Sequence, residues 1–385
     1  MDTPRIGILG GYGYTGKSLA RLLLEHTDAR LIIAGRNPQQ ARAAAQEWNQ
    51  QFAGGRVCGV YADASCAHSL WEAFEGVDLL VVAAPVARHA ETVARAALRI
   101  DCDYLDIVFS PRKLRILRAL AEDISRAGRT FITDAGYHPG LPALLVRYAG
   151  SLLDSVEAAN VFSVINPQGG FPLTGSLEEF VQELSRFQCM AYRDGQWYRA
   201  TGLGLSEMRQ ADFGFGFGLR SCVPMMLEEM RALPQMFPSL RETAFYVAGF
   251  NWFVDWIVMP LMILGGRIAP RWTRKPLAYL LHWGTRLCAN PPYGAVIRLE
   301  ACGWNGCERQ RLCVQLYHPD PYALTAIATA ASILQYLRGR ARKPGLWFAG
   351  HLGDPSEAIQ DMQAMGAKYQ HEMATIQGTC PFCGR

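Results

Sequence analysis

A glycine-rich turn near the N-terminus constrains the fold of this chain more than any other feature. Gly10, Gly13 and Gly16 lie between a short apolar run, residues 5–9, and a segment, residues 17–24, that carries leucines at helical spacing. Glycine has no β-carbon, so such a turn lets backbone N–H groups and a helix N-terminus approach the phosphates of a dinucleotide. The order strand, turn, helix predicts an α/β fold of the Rossmann type with a doubly wound parallel sheet.

The end of the second predicted strand, residues 31–34, bears on the choice of nicotinamide cofactor. An acidic residue there would bind the ribose 2′-hydroxyl of NAD, whereas an arginine would accept the 2′-phosphate of NADP. The strand is followed by Arg36 and Asn37 and by no carboxylate, which favours NADP. The alternative is that Arg36 is a solvated charge and that Asn37 only caps a helix beginning at Pro38.

The pattern of predicted elements divides the 385 residues into two domains. Strands alternate with helical segments up to residue 139, as in a parallel sheet, and the pattern then changes to a mixed or antiparallel sheet with helices. A long apolar helix is predicted at 321–337. We therefore expect a Rossmann domain of residues 1–139 and 319–385 and an inserted α+β domain of residues 140–318. Strands are predicted at 56–61, 77–84, 104–108, 130–134, 158–165, 295–301 and 310–317.

Three candidate cofactor residues follow the third and fourth predicted strands, at the edge where ligands of open α/β sheets bind. Asp63 could accept a hydrogen bond from the adenine amino group or cap a helix. Ala84 and Pro85 end the fourth strand on small residues, which would let the coenzyme cross the edge of the sheet there.

Tyr137 and His138 are the first candidates for catalytic residues, because they lie in a turn-rich stretch directly after the strand 130–134. A reductase needs a proton donor and an electrostatic partner near the carbon that accepts the hydride. His89, shortly after Pro85, is the second candidate. Each has a structural alternative, since a tyrosine beside glycine-rich backbone often only packs and a histidine before proline often only hydrogen-bonds a carbonyl. Asp106 is expected either to orient His89 or to cap a turn.

Four segments together resemble the saccharopine dehydrogenase-like (saccharopine reductase) family of NADP-dependent oxidoreductases. They are residues 10–16, which include Tyr14 and Thr15, and residues 34–37, 103–106 and 136–142. The resemblance is specific over residues 1–150, looser at the C-terminal return and poor between 190 and 290.

The resemblance implies a Rossmann domain with an inserted α+β domain, hydride transfer at a C=N or C=C bond, and a homodimer. It implies no particular substrate, acid or base, because the stretch that would hold the substrate is the part that departs from the family. A non-catalytic NADP-binding protein, either membrane-peripheral or a scaffold, is the alternative function.

Residues 244–265 are apolar and long enough to cross a bilayer. Asp255 lies at the middle and Pro260 interrupts helical bonding, so the sequence favours an amphipathic helix over a span. Basic residues follow up to position 275 and would meet anionic headgroups. Three interpretations stay open: buried core or dimer interface, the wall of a pocket for a lipid-like substrate, and peripheral membrane contact through 244–275.

Charge and cysteine usage exclude some partners. The net charge of +4 is spread along the chain, which predicts no nucleic-acid binding. Eleven irregularly spaced cysteines indicate reduced thiols, and the first strand begins almost at the N-terminus, so we expect a cytoplasmic protein with membrane association left open. Cys380 and Cys383 have metal or redox spacing, but no second such pair occurs, so no metal is predicted.

Overall fold

The computed structural model describes residues 3–184, 188–268 and 270–376. The described residues form sixteen strands, which in chain order are β1 (Arg5–Leu9), β2 (Arg30–Gly35), β3 (Val57–Tyr61), β4 (Leu79–Val82), β5 (Asp103–Asp106), β6 (Thr130–Thr133), β7 (Ser155–Asn166), β8 (Met190–Arg193), β9 (Gln196–Arg199), β10 (Arg209–Asp212), β11 (Leu219–Pro224), β12 (Glu242–Ala248), β13 (Gly294–Asn305), β14 (Glu308–His318), β15 (Gly345–Phe348) and β16 (Lys368–Thr375).

The same residues form thirteen α-helices, which in chain order are α1 (Tyr14–His26), α2 (Pro38–Gln51), α3 (Ala67–Phe74), α4 (Ala90–Arg99), α5 (Pro111–Ala119), α6 (Ala121–Arg126), α7 (Leu141–Leu152), α8 (Gly175–Leu184), α9 (Leu233–Met236), α10 (Met259–Ile268), α11 (Pro270–Leu287), α12 (Pro321–Leu337) and α13 (Pro355–Ala364).

The first compact unit contains a sheet of seven parallel strands in the order β15-β6-β5-β4-β1-β2-β3. Strands β1 to β6 have the order of a doubly wound dinucleotide-binding sheet, and β15 adds a seventh strand beside β6. Strand β4 is buried along its whole length, as expected for a strand covered by helices on both faces. The predicted α/β fold with a parallel Rossmann sheet is confirmed.

The second unit contains a mixed sheet in the order β10-β11-β12-β7-β13-β14-β16, with β8 and β9 attached at β12. Strands β7 and β12 pair in parallel, whereas the neighbouring pairs β7 with β13 and β13 with β14 are antiparallel. The three strands predicted for this part of the chain lie inside β7, β13 and β14.

The division between the two units differs from the predicted one at the C-terminal return. The first unit takes residues 1–141 and 325–365, whereas residues 366–376 belong to the second. The reason is strand β16, which pairs antiparallel with β14 over eight residues and so extends the second sheet. An exposed polar strand of this kind carries no apolar run that would identify it in the sequence.

Helix α12 has the bounds that its apolar pattern predicts, 321–337. Two polar side chains tie it to the first unit. The Tyr336 hydroxyl donates to Asp103 Oδ2 at 2.7 Å, and the Thr329 hydroxyl donates to the carbonyl of Ala135 at 2.9 Å. Helix α12 is therefore fixed both to β5 and to the loop that follows β6.

The apolar stretch 244–265 is not one helix, which corrects the prediction. Its first residues belong to β12, between β11 and β7, where Phe245 and Tyr246 are buried. Aromatic and β-branched side chains pack well on a pleated sheet, and this preference outweighs the helical pattern. Helical structure begins at Trp252, passes through a π-helical turn at Val254–Val258 and continues into α10.

Neither a membrane-spanning helix nor a metal-binding cluster occurs in residues 3–184, 188–268 and 270–376. In those ranges no helix is both long and apolar enough to cross a bilayer. The same ranges contain no group of three or more His, Cys, Asp or Glu side chains that could hold a metal ion. Cys380 and Cys383 lie outside the described residues.

Candidate functional site

The candidate residues lie at one edge of the first sheet. All its strand pairs are parallel, so the loops after β1 to β6 emerge on the same side. The glycine turn follows β1 and the loop with Ala84 and Pro85 follows β4. Strands β1 and β4 are neighbours at the point where the strand order reverses, which is where dinucleotides bind in this class of sheet.

The glycine turn is closed by backbone contacts that only glycine permits. Gly10 has φ of +90°, and a β-carbon there would lie 2.8 Å from both the Ala83 oxygen and the Ala84 β-carbon. A β-carbon on Gly16 would overlap the carbonyl oxygen of Gly10. The turn therefore places α1 directly against β1 and brings the loop after β4 close to the turn.

The N-terminus of α1 suits an anionic group. Its N-cap is Gly13, which has no side chain to accept from the first-turn amides, and the first turn contains no acidic residue. Tyr14 and Thr15 begin the helix, and Tyr14 is 63% exposed. Main-chain donors and the positive end of a helix dipole are the groups that bind a dinucleotide diphosphate, so the residues present fit NADP.

Asn37 caps α2, the structural alternative given for it above, with its side-chain oxygen accepting from the Gln40 amide at 3.1 Å. The Tyr12 hydroxyl accepts from the Asn37 amide at 3.1 Å, and the Tyr12 ring lies against Gly35, where a β-carbon would come within 2.5 Å of it. Tyr12 thus joins the glycine turn to the end of β2 at Gly35 and to Asn37, the residues on either side of Arg36. Sequence reasoning missed this residue, because the motif identifies its glycines and not the side chains between them.

Asp63 follows β3 and is held in a turn. Its Oδ1 accepts from both the amide and the hydroxyl of Ser65, each at 2.8 Å. These hydrogen bonds, together with the charges of Arg36 and His89, keep the pKa of Asp63 below its ordinary value. The residue caps a turn just before α3 and does not cap that helix, whose N-cap is Cys66. Arg36, Asp63 and His89 are close enough for their charges to interact.

His89 ends a short 3₁₀ turn, Ala87–His89, that follows Pro85 and leads into α4. It is half-buried, as is Ala84, whereas Pro85 is exposed. The loop that carries all three residues thus begins at the end of β4 and stays at the sheet edge.

A buried lysine holds the loops after β5 and β6. Lys113 of α5 places its Nζ 2.6 Å from Asp106 Oδ1 and 2.5 Å from Asp134 Oδ1, and it also donates to the carbonyl of Val108. The Thr133 hydroxyl donates to the second oxygen of Asp106 at 2.9 Å. Asp106 also accepts from the Val108 amide, so the turn-capping role expected for it is observed.

Burial and charge shift the pKa values of this cluster. Burial alone would lower the pKa of Lys113, but the charges of the two aspartates outweigh it and the pKa is raised. Burial and the neighbouring Asp106 raise the pKa of Asp134 despite Lys113. Sequence reasoning missed Lys113, because a lysine on a surface helix is usually solvated. The available signal was a pair of aspartates ending adjacent strands, which need a cation when buried.

Tyr137 and His138 lie in the loop after β6, shortly after Asp134, which Lys113 binds. Asp134 has φ of +61°, and the chain then turns back so that the Gly136 amide donates to the Pro139 carbonyl at 2.9 Å. Tyr137 is buried and its ring lies edge-on to that of His138, with 4.6 Å between centroids. Burial lowers the pKa of His138 to about 4, so its imidazole is neutral near pH 7.

Comparison with known proteins agrees with this geometry. Residues 6–132 match the family model described as the saccharopine dehydrogenase NADP binding domain. An apo, histidine-tagged saccharopine dehydrogenase (L-Glu forming) from Saccharomyces cerevisiae has a similar structure, with a TM-score of 0.68 over 96% of this chain and 100% of that chain, at 13% identity. A likeness at this identity shows the fold alone.

A second similar structure is the DAP dehydrogenase of C. glutamicum in complex with DAP. It has 13% identity, covers 94% of this chain and 99% of that chain, and has a TM-score of 0.47. The family match confirms both the predicted resemblance and NADP as the cofactor. Together the findings describe an NADP-binding protein with a dehydrogenase-type fold.

Replacement of the buried lysine tests the cluster. Lys113→Met leaves Asp106 and Asp134 buried without their cation, and we expect the free energy of unfolding to fall by about 3–5 kcal/mol at neutral pH. Urea unfolding measures it. Lys113→Met combined with Asp106→Asn and Asp134→Asn removes both charges and should recover much of the loss.

The loss has a defined pH dependence. When Lys113 is replaced, its charge no longer offsets the burial and the neighbouring Asp106 that raise the pKa of Asp134, so protonation of that carboxylate favours the folded state. The deficit of Lys113→Met against the natural protein should therefore shrink as the pH falls from about 7 to about 5. A deficit below about 1 kcal/mol at pH 7, or one that grows on acidification, would contradict the assignment.

Proposed function

We propose that this chain is an NADP(H)-dependent oxidoreductase acting at a C=N or C=C bond, starting from the match of residues 6–132 to the saccharopine dehydrogenase NADP binding domain. One observation carries the proposal: the glycine-capped N-terminus of α1, the Arg36 guanidinium and the Tyr137–His138 pair follow strands of one parallel sheet at one edge. An anion site and a proton-transfer pair at a common edge are what a reductase of this fold requires.

In this proposal each part of the sheet edge holds one part of the cofactor. The amides of the glycine turn and the first turn of α1 bind the diphosphate, Arg36 and Asn37 bind the 2′-phosphate, and Asp63 accepts from adenine. The loop after β4 lets the dinucleotide cross the edge. The proposed cofactor residues are Gly10, Gly13, Tyr14, Thr15, Gly16, Arg36, Asn37, Asp63, Ala84 and Pro85.

NADPH, when bound, supplies the hydride. The chain must then supply a proton. Burial lowers the pKa of His138 to about 4, so at neutral pH this residue is the neutral imidazole and not the charged proton donor. We therefore assign the proton donor to the Tyr137 hydroxyl, with His138 as a neutral neighbour that orients its ring, and keep His89 as the second candidate. The Lys113 cluster holds the end of the strand pair that leads into the loop with Tyr137.

The proposed substrate is apolar or lipid-linked. The support comes from the second unit, where residues 252–287 carry an unusual share of exposed aromatic and aliphatic side chains. A non-catalytic NADP-binding protein is the competing function. It would be stabilised against heat by NADPH while no imine, enoyl thioester or lipid caused NADPH oxidation.

Arg36→Ala tests the cofactor assignment. Loss of a charge-assisted hydrogen bond of about 1.5–3 kcal/mol should raise the Kd for NADPH by about tenfold or more and leave the Kd for NADH unchanged. Titration calorimetry measures both. Arg95→Ala, which removes an exposed arginine of α4, is the matched control and should change neither value. An unchanged Kd for NADPH in Arg36→Ala would exclude Arg36 from the site.

Tyr137→Phe tests the proton donor. We expect kcat for NADPH oxidation to fall by about 10²–10⁴-fold on whichever imine or enoyl thioester the natural protein reduces, with the Kd for NADPH unchanged. Tyr198→Phe, on the half-exposed Tyr198 of β9, is the control. A Tyr137→Phe protein with full kcat would transfer the assignment to His89.

A further inference from the structure

Exposed apolar side chains concentrate in one short part of the second unit. Among the described residues, 21 large hydrophobic side chains are exposed, and 11 of them lie between positions 252 and 287. These 36 positions comprise the helical start at Trp252, the π-helical turn, α10 and α11, hereafter the 252–287 surface. Trp256 is 77% exposed and Trp272 is 85% exposed. Such a concentration of exposed apolar side chains in one segment marks an interaction site.

The opposite side of these helices is already packed. Val254, Val258 and Met262 form one buried cluster with Leu277 and Leu281 of α11, and the cluster includes residues of α8. The core of this helical layer is thus complete without the exposed residues. The tryptophans at 252, 256, 272 and 283 are therefore not required to close the fold.

Two polar side chains at the start of this helical region accept hydrogen bonds from nearby backbone amides. Asn251 accepts from the Val254 amide at 3.0 Å, and Asp255 accepts from the Phe250 amide at 2.9 Å. Burial raises the pKa of Asp255 to about 6. The acid in the middle of the apolar stretch thus serves to begin the helix.

Apart from Asp255, whose carboxylate accepts from the Phe250 amide, the charged residues of the 252–287 surface are basic. Residues 256–287 contain four arginines and one lysine and no aspartate or glutamate. Arg274 is paired with Glu178 of α8 at 3.0 Å, whereas Lys275 and Arg286 are exposed, and the Arg286 guanidinium lies 5.7 Å from the centre of the Trp283 ring. Tryptophans, exposed aliphatic side chains and cations without acids form the composition of a helix that lies in the interface of an anionic bilayer.

We propose that the 252–287 surface docks on an anionic lipid bilayer, with its tryptophans at the headgroup level and its cations against the headgroup phosphates. Helix α10 has ten residues, so it is about 15 Å long against a hydrocarbon core of about 30 Å, and it lies on the membrane without spanning it. The surface includes residues 252–275 of the membrane contact considered from the sequence and excludes the buried strand β12.

A second copy of this chain is a poorer occupant. A two-fold interface places the same patch on both sides, and here it would set the exposed Lys275 and Arg286 of one copy against the same cations of the other, with no acid between positions 256 and 287 of either. Like charges facing each other across an interface cost affinity. The homodimer expected from the family resemblance stays a prediction, and this surface does not favour it.

The test is co-sedimentation of the full chain in the presence of NADPH. Three samples are compared: vesicles of phosphatidylcholine and phosphatidylglycerol, vesicles of phosphatidylcholine alone, and a control without vesicles. We expect strong binding to the anionic vesicles only, weakened as the ionic strength rises from about 0.1 M to about 0.5 M. Lys275→Glu with Arg286→Glu should lower the partition coefficient by about tenfold or more.

Trp256→Glu with Trp272→Glu tests the apolar part and should also lower partitioning by about tenfold or more. The matched control is Tyr198→Glu with Leu219→Glu, two exposed apolar side chains of β9 and β11 in the same unit, which should bind as the natural protein does. The Kd for NADPH should be the same in all these variants, which separates a failure of docking from a failure of the proposed function.

Three results would overturn the proposal. The natural protein could remain in the supernatant with anionic vesicles, it could bind neutral vesicles equally well, or the tryptophan variant could bind as strongly as the control. Light scattering tests the competing occupant. If the natural protein is a dimer that does not bind vesicles, and Trp256→Glu with Trp272→Glu dissociates that dimer, the surface is assigned to a second copy of the chain.

Discussion

The approach of the Gly16 backbone to the carbonyl oxygen of Gly10 is the contact on which the nucleotide end of the molecule depends. No side chain fits between them, so α1 starts directly at the edge of the sheet with a glycine as its N-cap. The positive end of that helix then faces the crevice between the loops after β1 and β4, and its amides carry no side-chain cap of their own. A methyl group at position 16 would move the helix, and the anion site would move with it.

A second constraint acts two strands away, where charge takes the place of close packing. Lys113 holds Asp106 and Asp134, which end adjacent strands, and its hydrogen bonds fix where the chain leaves the sheet toward Tyr137. A buried ion pair adds little net stability against an apolar alternative, but it defines geometry, because each carboxylate needs the lysine where it is. The sheet edge therefore combines a backbone-built anion site with a salt-bridge-built loop.

The sequence predicts the first unit well, because strand, turn and helix follow one another locally and each has its own pattern. Residues 5–16, the cap at Asn37 and the bounds of α12 needed no tertiary information. The missed features depend on contacts between distant residues. Lys113 is buried only because two strands bring Asp106 and Asp134 together. Strand β12 forms because its aromatic side chains pack in the core of the second sheet. Strand β16 joins that sheet through backbone hydrogen bonds, which no sequence pattern predicts.

The two units differ in the kind of ligand that their exposed groups can bind. The first presents a backbone-built site for an anionic dinucleotide, whereas the described part of the second presents exposed tryptophans and cations, which suit a lipid surface. The central claim is that the first unit binds NADP(H) in preference to NAD(H). Titration calorimetry of the natural protein with NADPH and with NADH tests it most directly: the account predicts a Kd for NADPH lower by about tenfold or more, and equal or tighter binding of NADH, or no binding of either, would contradict it.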